Sequence, residues 1–337
     1  MLVLMSASLV PPNEASRLGE ERLKSAPWRT EHDVLGAIES LGHEAKGLGI
    51  AGDVSPIRDA AAQWRPHVAF NLLEDFDGTA LYDQNVVSYL ELIGLPYTGC
   101  NPRGMVLARD KAVSKKLLAY HGIRVPGFAV FPPGRRVRRP EGLEFPLFVK
   151  SLLEDASLGI SRASLVRGDK ALAARAAFVH RHTGLDAIAE EYIAGRELYV
   201  GLIGNERPEA LPIWEFSCSK KPPAMPLIAT ARMKWNLAHQ KRWGIISAAA
   251  EGLPPGTSRR MDKLSKLAYR VLGLSGYARM DFRLAPDGSL YFLEANPNPQ
   301  LARGEDFADS AMEKGISYER LLARIIGLGL RRKPAPD

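Results

Sequence analysis

Residues Tyr291–Pro299 read YFLEANPNP, a strand-like apolar run that ends on Glu294 and Asn296 and is then closed by two prolines. Just upstream, APDG (285–288) sets a proline, an aspartate and a glycine for a turn, so the flanking runs should fold back as antiparallel strands. With the turn centred between Asp287 and Gly288, Asp281 lies opposite Glu294 and Arg279 opposite Asn296. Strand side chains alternate, so these four share one face, while Met280, Phe282, Leu293 and Ala295 point the other way. Directly opposed carboxylates, with Cβ atoms about 4.5 to 5.5 Å apart, repel unless a cation lies between them. Magnesium takes hard oxygen ligands, uses one or two carboxylates and completes its shell with water and phosphate oxygens. Asp281, Glu294 and the amide oxygen of Asn296 therefore suit two magnesium ions, with manganese as a substitute, holding a nucleotide triphosphate. Pro297 and Pro299 stop the strand because neither can donate to a ladder. The competing reading is a solvated hairpin in which Arg279 pairs with Asp281 or Glu294, and a one-residue slip of register would scatter the set.

A triphosphate also calls for side-chain cations. Lys150 closes the apolar run FPLFVK and projects from the end of a strand, where a lysine is seldom buried without a partner. The following SLLEDASLGIS places Ala156, Ser157 and Gly159 between two strand-like runs, the composition of a flap whose amides close over phosphates. Short hairpins share that composition. Lys111 stands in RDKAVSKKLL, alternatively a solvated helix face, and Lys234 stands beside an aromatic in ARMKWNLAHQKRW. In AIAEEYIAGREL, a strand runs through Glu190 into Tyr192 and Ile193 and turns at Gly195 toward Glu197. Such a hinge can offer backbone groups to a purine edge and a carboxylate to ribose, or it is an exposed acidic sheet edge.

Organisation around these motifs follows from the alternation of patterns. The first hundred residues read strand (MLVLMSA), helix (EHDVLGAIESLG, with Thr30 as cap), strand (VAFNLL) and then VVSYLELIG, the alternation of a parallel sheet covered by helices. A helix over ARDKAVSKKLLAYHG is expected to carry Val113, Leu117 and Tyr120 on one face and to stop at Gly122. From about Pro126 short β-rich runs surround turns, with helices expected at DKALAARAAFVHRH, RRMDKLSKLAYRVLG and SYERLLARIIGLGL. No internal repeat is present.

Composition narrows the class. With 337 residues and 46% hydrophobic content, the chain supports several packed domains. The apolar opening is too short to span a bilayer and lacks a basic leader, so it reads as a buried strand and implies no membrane partner. Two lone cysteines, Cys100 and Cys218, argue against a disulfide framework or a zinc cluster and for the cytoplasm. The excess of 45 Lys and Arg over 38 Asp and Glu, a formal +7, is spread along the chain. Its one dense run, Arg135, Arg136, Arg138 and Arg139, lies in a Pro/Gly connection without aromatics, so no nucleic-acid partner is expected. The seven histidines are scattered, and no Ser/His/Asp or Cys/His set stands out.

Taken in order, ELIGLPYTG, RDKAVSKKLL, FPLFVKSLLEDASLGIS, EEYIAGREL and ARMDFRLAPDGSLYFLEANPNP resemble the ATP-grasp superfamily, and most closely the D-alanine–D-alanine ligases. The likeness runs from Leu92 to Asn298. It implies α/β and α+β architecture, with an N-terminal Rossmann-like (pre-ATP-grasp) domain over 1–103. A two-lobed ATP-grasp fold follows, with a central lobe over 104–188 and a C-terminal lobe over 189–330. By the same resemblance Lys111 and Lys150 hold the α and β phosphates of ATP and residues 154–161 form the flap. Glu190, Tyr192 and Ile193 form the adenine hinge, and Glu197 binds ribose. Lys234 lies near the transferred phosphate, Asp281, Glu294 and Asn296 ligate metal, and Arg279 faces the oxyanion. The implied chemistry joins a small carboxylate to an amine, from amino acids or a peptide, through an acyl phosphate, in a homodimer. A thiol, hydroxyl or intramolecular acceptor, or a non-catalytic ATP-binding regulator, is the alternative. Departures fall on the substrate side: SASLVPPNEASRLGEERL replaces a glycine-rich turn and glutamate, LLEDFDGTALYDQ leaves Glu74, Asp75 and Asp77 as contacts, Trp235 replaces a tyrosine, and QLARGEDFADSA follows Pro299.

Overall fold

The computed structural model describes the whole chain except residues 16–18, 155–158, 221, 223–225, 229, 231–232, 234–235 and 333–337. Its first sheet is parallel, in the order β2-β1-β3, built from β1 (Leu2–Ser6), β2 (Lys46–Ile50) and β3 (Ala69–Asn71). Leu2 to Met5 have no solvent exposure, as a parallel strand covered on both faces requires. Around this sheet lie α1 (Glu20–Lys24), α2 (Arg29–Ser40), α3 (Ser55–Trp64) and α4 (Asp83–Leu92). The strand β2 and helix α3 have no counterpart in the expected sequence elements; KGLGI is too glycine-rich to carry a strand pattern. Thr30 is not the cap of α2: the helix begins at Arg29 after Trp28, and the Thr30 hydroxyl instead accepts from Gln300 Nε2 at 3.3 Å.

The expected single helix after residue 107 is two. α5 (Pro102–Arg109) stops at Asp110, whose Oδ1 accepts from the N–H groups of Ala112 and Val113 and so caps α6 (Lys111–Tyr120). The buried face of α6 is also not the expected one. Lys111, Ala112, Ser114, Lys115 and Leu118 point inward, whereas Tyr120 is 86% exposed. An apolar stripe of Val113, Leu117 and Tyr120 loses to this face because two lysines on it find anionic and carbonyl partners inside.

A second sheet, antiparallel in the order β4-β7-β5-β6, joins β4 (Phe128–Phe131), β5 (Leu147–Ser151), β6 (Leu165–Val166) and β7 (Ala187–Glu191). It packs on α7 (Asp169–Thr183) through Leu147, Val149, Leu172, Ala176 and Val179. The third sheet, in the order β10-β9-β8-β11-β12, contains β8 (Arg196–Ile203), β9 (Glu209–Cys218), β10 (Ile245–Ala249), β11 (Tyr277–Leu284) and β12 (Leu290–Pro297). With it go α8 (Leu237–Trp243), α9 (Thr257–Val271), α10 (Asp306–Glu313) and α11 (Tyr318–Leu330). One apolar cluster runs from Leu2 and Tyr97 through Tyr269 to Met280 and Phe292, so the first and third sheets share a core.

Two glycines permit the close approach that sets the hairpin against the first sheet. Gly99 (φ +95°) and Gly276 (φ +73°) meet backbone to backbone, and a Cβ on Gly276 would stand 2.3 Å from the Gly99 carbonyl oxygen. Asn298, just past β12, accepts from the Cys100 N–H at 2.7 Å.

Candidate active site

The β11–β12 register pairs Asp281 with Glu294, Met280 with Ala295 and Arg279 with Asn296, as expected. Two departures cancel to give that result. The turn is centred on Asp287, with Leu284 opposite Leu290, and the register then shifts by one between Asp281 and Phe282, making Leu293 the extra residue of a bulge. Arg279, Asp281, Glu294 and Asn296 therefore share one face, with Tyr199 of β8 beside Asp281.

The polar geometry on this face is tight. Arg279 spans Asp281 with Nε to Oδ1 at 2.8 Å and Nη2 to Oδ2 at 2.9 Å, and its guanidinium lies 4.6 Å from the centre of the Tyr199 ring. Burial works against the Arg279 charge, but Asp281 outweighs it and holds the group well above its ordinary range. Asn296 Nδ2 donates to Asp281 Oδ2 at 3.1 Å. Lys150 Nζ, reaching in from β5 of the second sheet, lies 3.0 Å from Glu294 Oε2 and 3.4 Å from Glu190 Oε2. Burial opposes its charge; Glu190 and Glu294 together raise it above the ordinary lysine range. Among the described residues no three His, Cys, Asp or Glu side chains converge as a metal cluster, and the expected donors on this face are two carboxylates and an amide. That set matches magnesium, which seldom takes more carboxylates than this.

The remaining expected residues surround this face. Lys111 is buried and its Nζ donates to the Glu154 carbonyl at 2.7 Å, at the start of the segment expected to form the flap. Ala156 and Ser157 lie outside the described residues, as do Lys234 and Trp235. Gly159 has φ +69°, and its carbonyl accepts from the buried Arg175 of α7, whose Nη2 also reaches Ser164 Oγ at 2.8 Å. Glu190 is buried at the end of β7; the Tyr192 N–H donates to the Pro146 carbonyl at 2.9 Å, and Ile193 is half-buried. Glu197 is buried, accepting from Tyr199 Oη at 2.7 Å and from Arg283 Nη2 at 2.8 Å. Arg303, in the QLARGEDFADSA segment that follows Pro299, reaches Glu319 Oε1 at 2.6 Å and stacks 4.0 Å over Tyr318, a tie to α11.

Three participants were absent from the sequence expectation: Lys115, Tyr199 and Arg283. Each lies on the same face as a residue that was expected, Lys115 four positions after Lys111 on a helix, and Tyr199 and Arg283 two positions after Glu197 and Asp281 on strands. That spacing is the signal that could have found them. Lys115 is fully buried, with Nζ 2.9 Å from Glu190 Oε1 and donating to the Leu293 carbonyl. Burial pushes its ammonium pKa down, and Glu190 only partly restores it. Glu190 is pushed up by burial but held below the ordinary range by Lys115 and Lys150.

With this geometry in hand, comparison with known proteins is decisive. The family model "D-ala D-ala ligase C-terminus" matches residues 117–327. The chain belongs to the D-alanine–D-alanine ligase family. It is an ATP-dependent carboxylate–amine ligase in class. The "D-alanine--D-alanine ligase" of Nitratidesulfovibrio vulgaris strain DP4 is 30% identical over 90% of this chain and 95% of its own length. An "Uncharacterized protein y4sG" of Sinorhizobium fredii is 31% identical over 91% and 90%. Among solved structures, the D-alanine–D-alanine ligase from Bacillus anthracis complexed with ATP aligns with TM-score 0.75 at 24% identity, covering 98% of this chain and 96% of that one. The VanG D-Ala:D-Ser ligase from Enterococcus faecalis aligns with TM-score 0.70 at 19% identity, over 97% and 98%. The ATP-grasp fold, α/β and α+β with an N-terminal Rossmann-like part, is thereby borne out.

One buried carboxylate stands on α2, in the N-terminal part of the chain. Glu31, in the first turn of α2, is 3% exposed, its Oε2 has no hydrogen-bond partner among the described residues, and burial with the nearby Glu74 charge raises its pKa to about 7. The folded chain keeps the Glu31 proton up to about pH 7, the unfolded chain only to about 4.5. The stabilisation this gives is full below pH 4.5, shrinks as pH rises and is gone above 7, where the folded chain carries a buried charge. Glu31→Gln should therefore unfold at a higher temperature than the wild type at pH 8, by the equivalent of about 1–3 kcal/mol, and at nearly the same temperature at pH 4. Differential scanning fluorimetry at the two pH values tests this.

Proposed function

We propose that the chain couples cleavage of magnesium ATP to amide formation between small substrates, amino acids or a short peptide. The observation that carries this reading is the convergence of Asp281, Glu294, Asn296 and Arg279 on one sheet face, with Lys150 arriving from a different sheet. Asp281, Glu294 and Asn296 would hold the magnesium, two ions in all, with manganese as a substitute. Bound there, the metal supplies charge neutralisation for the phosphates and the leaving ADP. Lys111 and Lys150 would bind phosphate oxygens, with 154–161, including Ala156, Ser157 and Gly159, closing over them. Glu190, Tyr192 and Ile193 would edge the adenine. Glu197, with two oxygens already accepting, keeps lone pairs for a ribose hydroxyl. Lys234 would stand by the transferred phosphate.

In the first step a carboxylate oxygen of one substrate attacks the γ-phosphorus and ADP leaves. In the second, an amine nitrogen attacks the acyl carbon, phosphate leaves and the amine gives up a proton. No protein nucleophile is needed; the side chains align and neutralise. Arg279, fixed by Asp281 and Tyr199, keeps Nη1 for the oxygen that becomes negative in the second step. In domain terms, residues 1–103 would bind substrate, 104–188 carry the flap and 189–330 the metal site.

The reading is tested by a pairwise screen of D- and L-amino acids, dipeptides and small carboxylates for ADP release, with product masses. One pair, D-alanine included as both partners, is expected to give ADP and an amide in equal amounts. Hydroxylamine offered as the acceptor should yield an acyl hydroxamate, because an acyl phosphate is the species it traps. Tight ATP binding with no substrate-dependent ADP from the whole panel would reject turnover. We further propose that two copies associate, as the family resemblance implies. The cytoplasm is the proposed place of action, in keeping with free thiols at Cys100 and Cys218. Among the described residues no helix is long and apolar enough to cross a membrane.

A further inference from the structure

Two lysines and two glutamates form a row across the junction of the second and third sheets: Lys115, Glu190, Lys150 and Glu294. Their Nζ–O separations are 2.9 Å, 3.4 Å and 3.0 Å in that order. The two lysines differ in setting. Lys150 has a side chain 10% exposed and lies between two carboxylates, one of them a proposed metal ligand. Lys115 has no exposure, and its second bond, to the carbonyl of the bulged Leu293, fixes it on the inner side of Glu190. Glu190 uses a different oxygen for each lysine.

A carboxylate this deeply buried cannot lose its last cation without a large penalty. If Lys150 were the sole counter-ion of Glu190, drawing it toward a triphosphate would strand that charge, and Glu190 would compete with the nucleotide for it. Lys115 removes the conflict. It cannot follow the phosphates, because it is enclosed and tied to Leu293, and it stays with Glu190 when Lys150 moves.

We propose that Lys115 is a positioning residue for the nucleotide, a resident counter-ion to Glu190 that leaves Lys150 available to the phosphates. This inference rests on the proposed role of Lys150 as a phosphate ligand. Lys115 itself touches no substrate; it acts through Glu190 and Lys150.

The test uses the full chain and isothermal titration with the magnesium complex of adenylyl imidodiphosphate. The variants are Lys115→Met, Glu190→Gln, the double variant and Lys150→Met. Lys150→Met should weaken binding by about tenfold or more. Lys115→Met should raise both this Kd and the KM for ATP by about tenfold, with kcat at saturating ATP within about threefold of the wild type, because the captured Lys150 is still recruited at high ATP. In the Glu190→Gln background the Lys115→Met change should cost less than about threefold, since the buried carboxylate whose hold on Lys150 depends on Lys115 is gone and the contact of Lys150 with Glu294 is the same with or without Lys115. A merely structural lysine would give the same loss in both backgrounds, and that result overturns the proposal. Unchanged binding in Lys115→Met, with Lys150→Met impaired, overturns it too. Unchanged binding in Lys150→Met overturns instead the phosphate role on which it rests. Should Lys115→Met fail to fold, the double variant, which leaves no buried carboxylate unpaired at this point, carries the comparison: it should bind as Glu190→Gln does, and binding about tenfold weaker than that rejects the idea.

Discussion

Glu294→Gln should lower the maximal rate of ADP formation by about 10³-fold while the protein stays folded. Glutamine keeps the volume of glutamate and one acceptor oxygen, so the change removes one negative charge from the face shared with Asp281 and little else. A magnesium ion between two carboxylates would then be held by one, and its neutralisation of the phosphates would weaken where charge develops in the transition state. Stability should change by no more than about 1 kcal/mol. Glu294 is on the open side of the face, with a side chain 26% exposed, and Lys150 retains Glu190 at 3.4 Å. A second consequence has the opposite sign. Freed from Glu294, Lys150 has one anion fewer competing with phosphate, so ATP without metal should bind at least as tightly as to the wild type. Steady-state rates against magnesium concentration, together with metal-free ATP titration, measure both. A near-normal rate with unchanged magnesium dependence would remove Glu294 from the metal site.

The second large effect is expected at Arg279. Arg279→Lys keeps the charge but should cost kcat about 10²- to 10³-fold, with the KM for ATP changing by no more than about threefold. The reason is geometric. The guanidinium is held by two parallel bonds to Asp281 and by stacking on Tyr199, so its outward edge has a fixed direction. An ammonium is a point charge that cannot span both Asp281 oxygens, and it has no planar face to lay on the ring. It would neutralise Asp281 without presenting an aligned donor to the oxyanion. Because the step that suffers follows phosphate transfer, hydroxamate trapping should fall less than amide formation. Equal kcat for Lys and Arg at this position would leave Arg279 as the plain structural partner of Asp281.

Much of this arrangement was legible in the chain. The hairpin and its shared face follow from the period-two alternation through ARMDF and FLEAN, from the turn residues in APDG and from the closing prolines. The expected pairing held even though the turn is centred elsewhere, because the bulge at Leu293 restores the offset. A bulge adds one residue without any composition of its own, so the pattern could not disclose it. The face of α6 was misread for a related reason: periodicity ranks residues by polarity, and buried lysines count against the face that carries them. Lys115 is inside because Glu190 and the Leu293 carbonyl, distant in sequence, meet it there.

The sequence by itself determined which residue types recur at helical and strand spacing, and hence the elements, the hairpin and the acidic, amide and basic groups that it carries. These are local properties, set by backbone sterics and side-chain period within a few residues. Only the tertiary structure decided which charges neutralise one another. Lys115, Lys150, Glu190 and Glu294 come from separate elements, and desolvation makes each group's cost depend on partners that the fold alone brings to 2.9–3.4 Å.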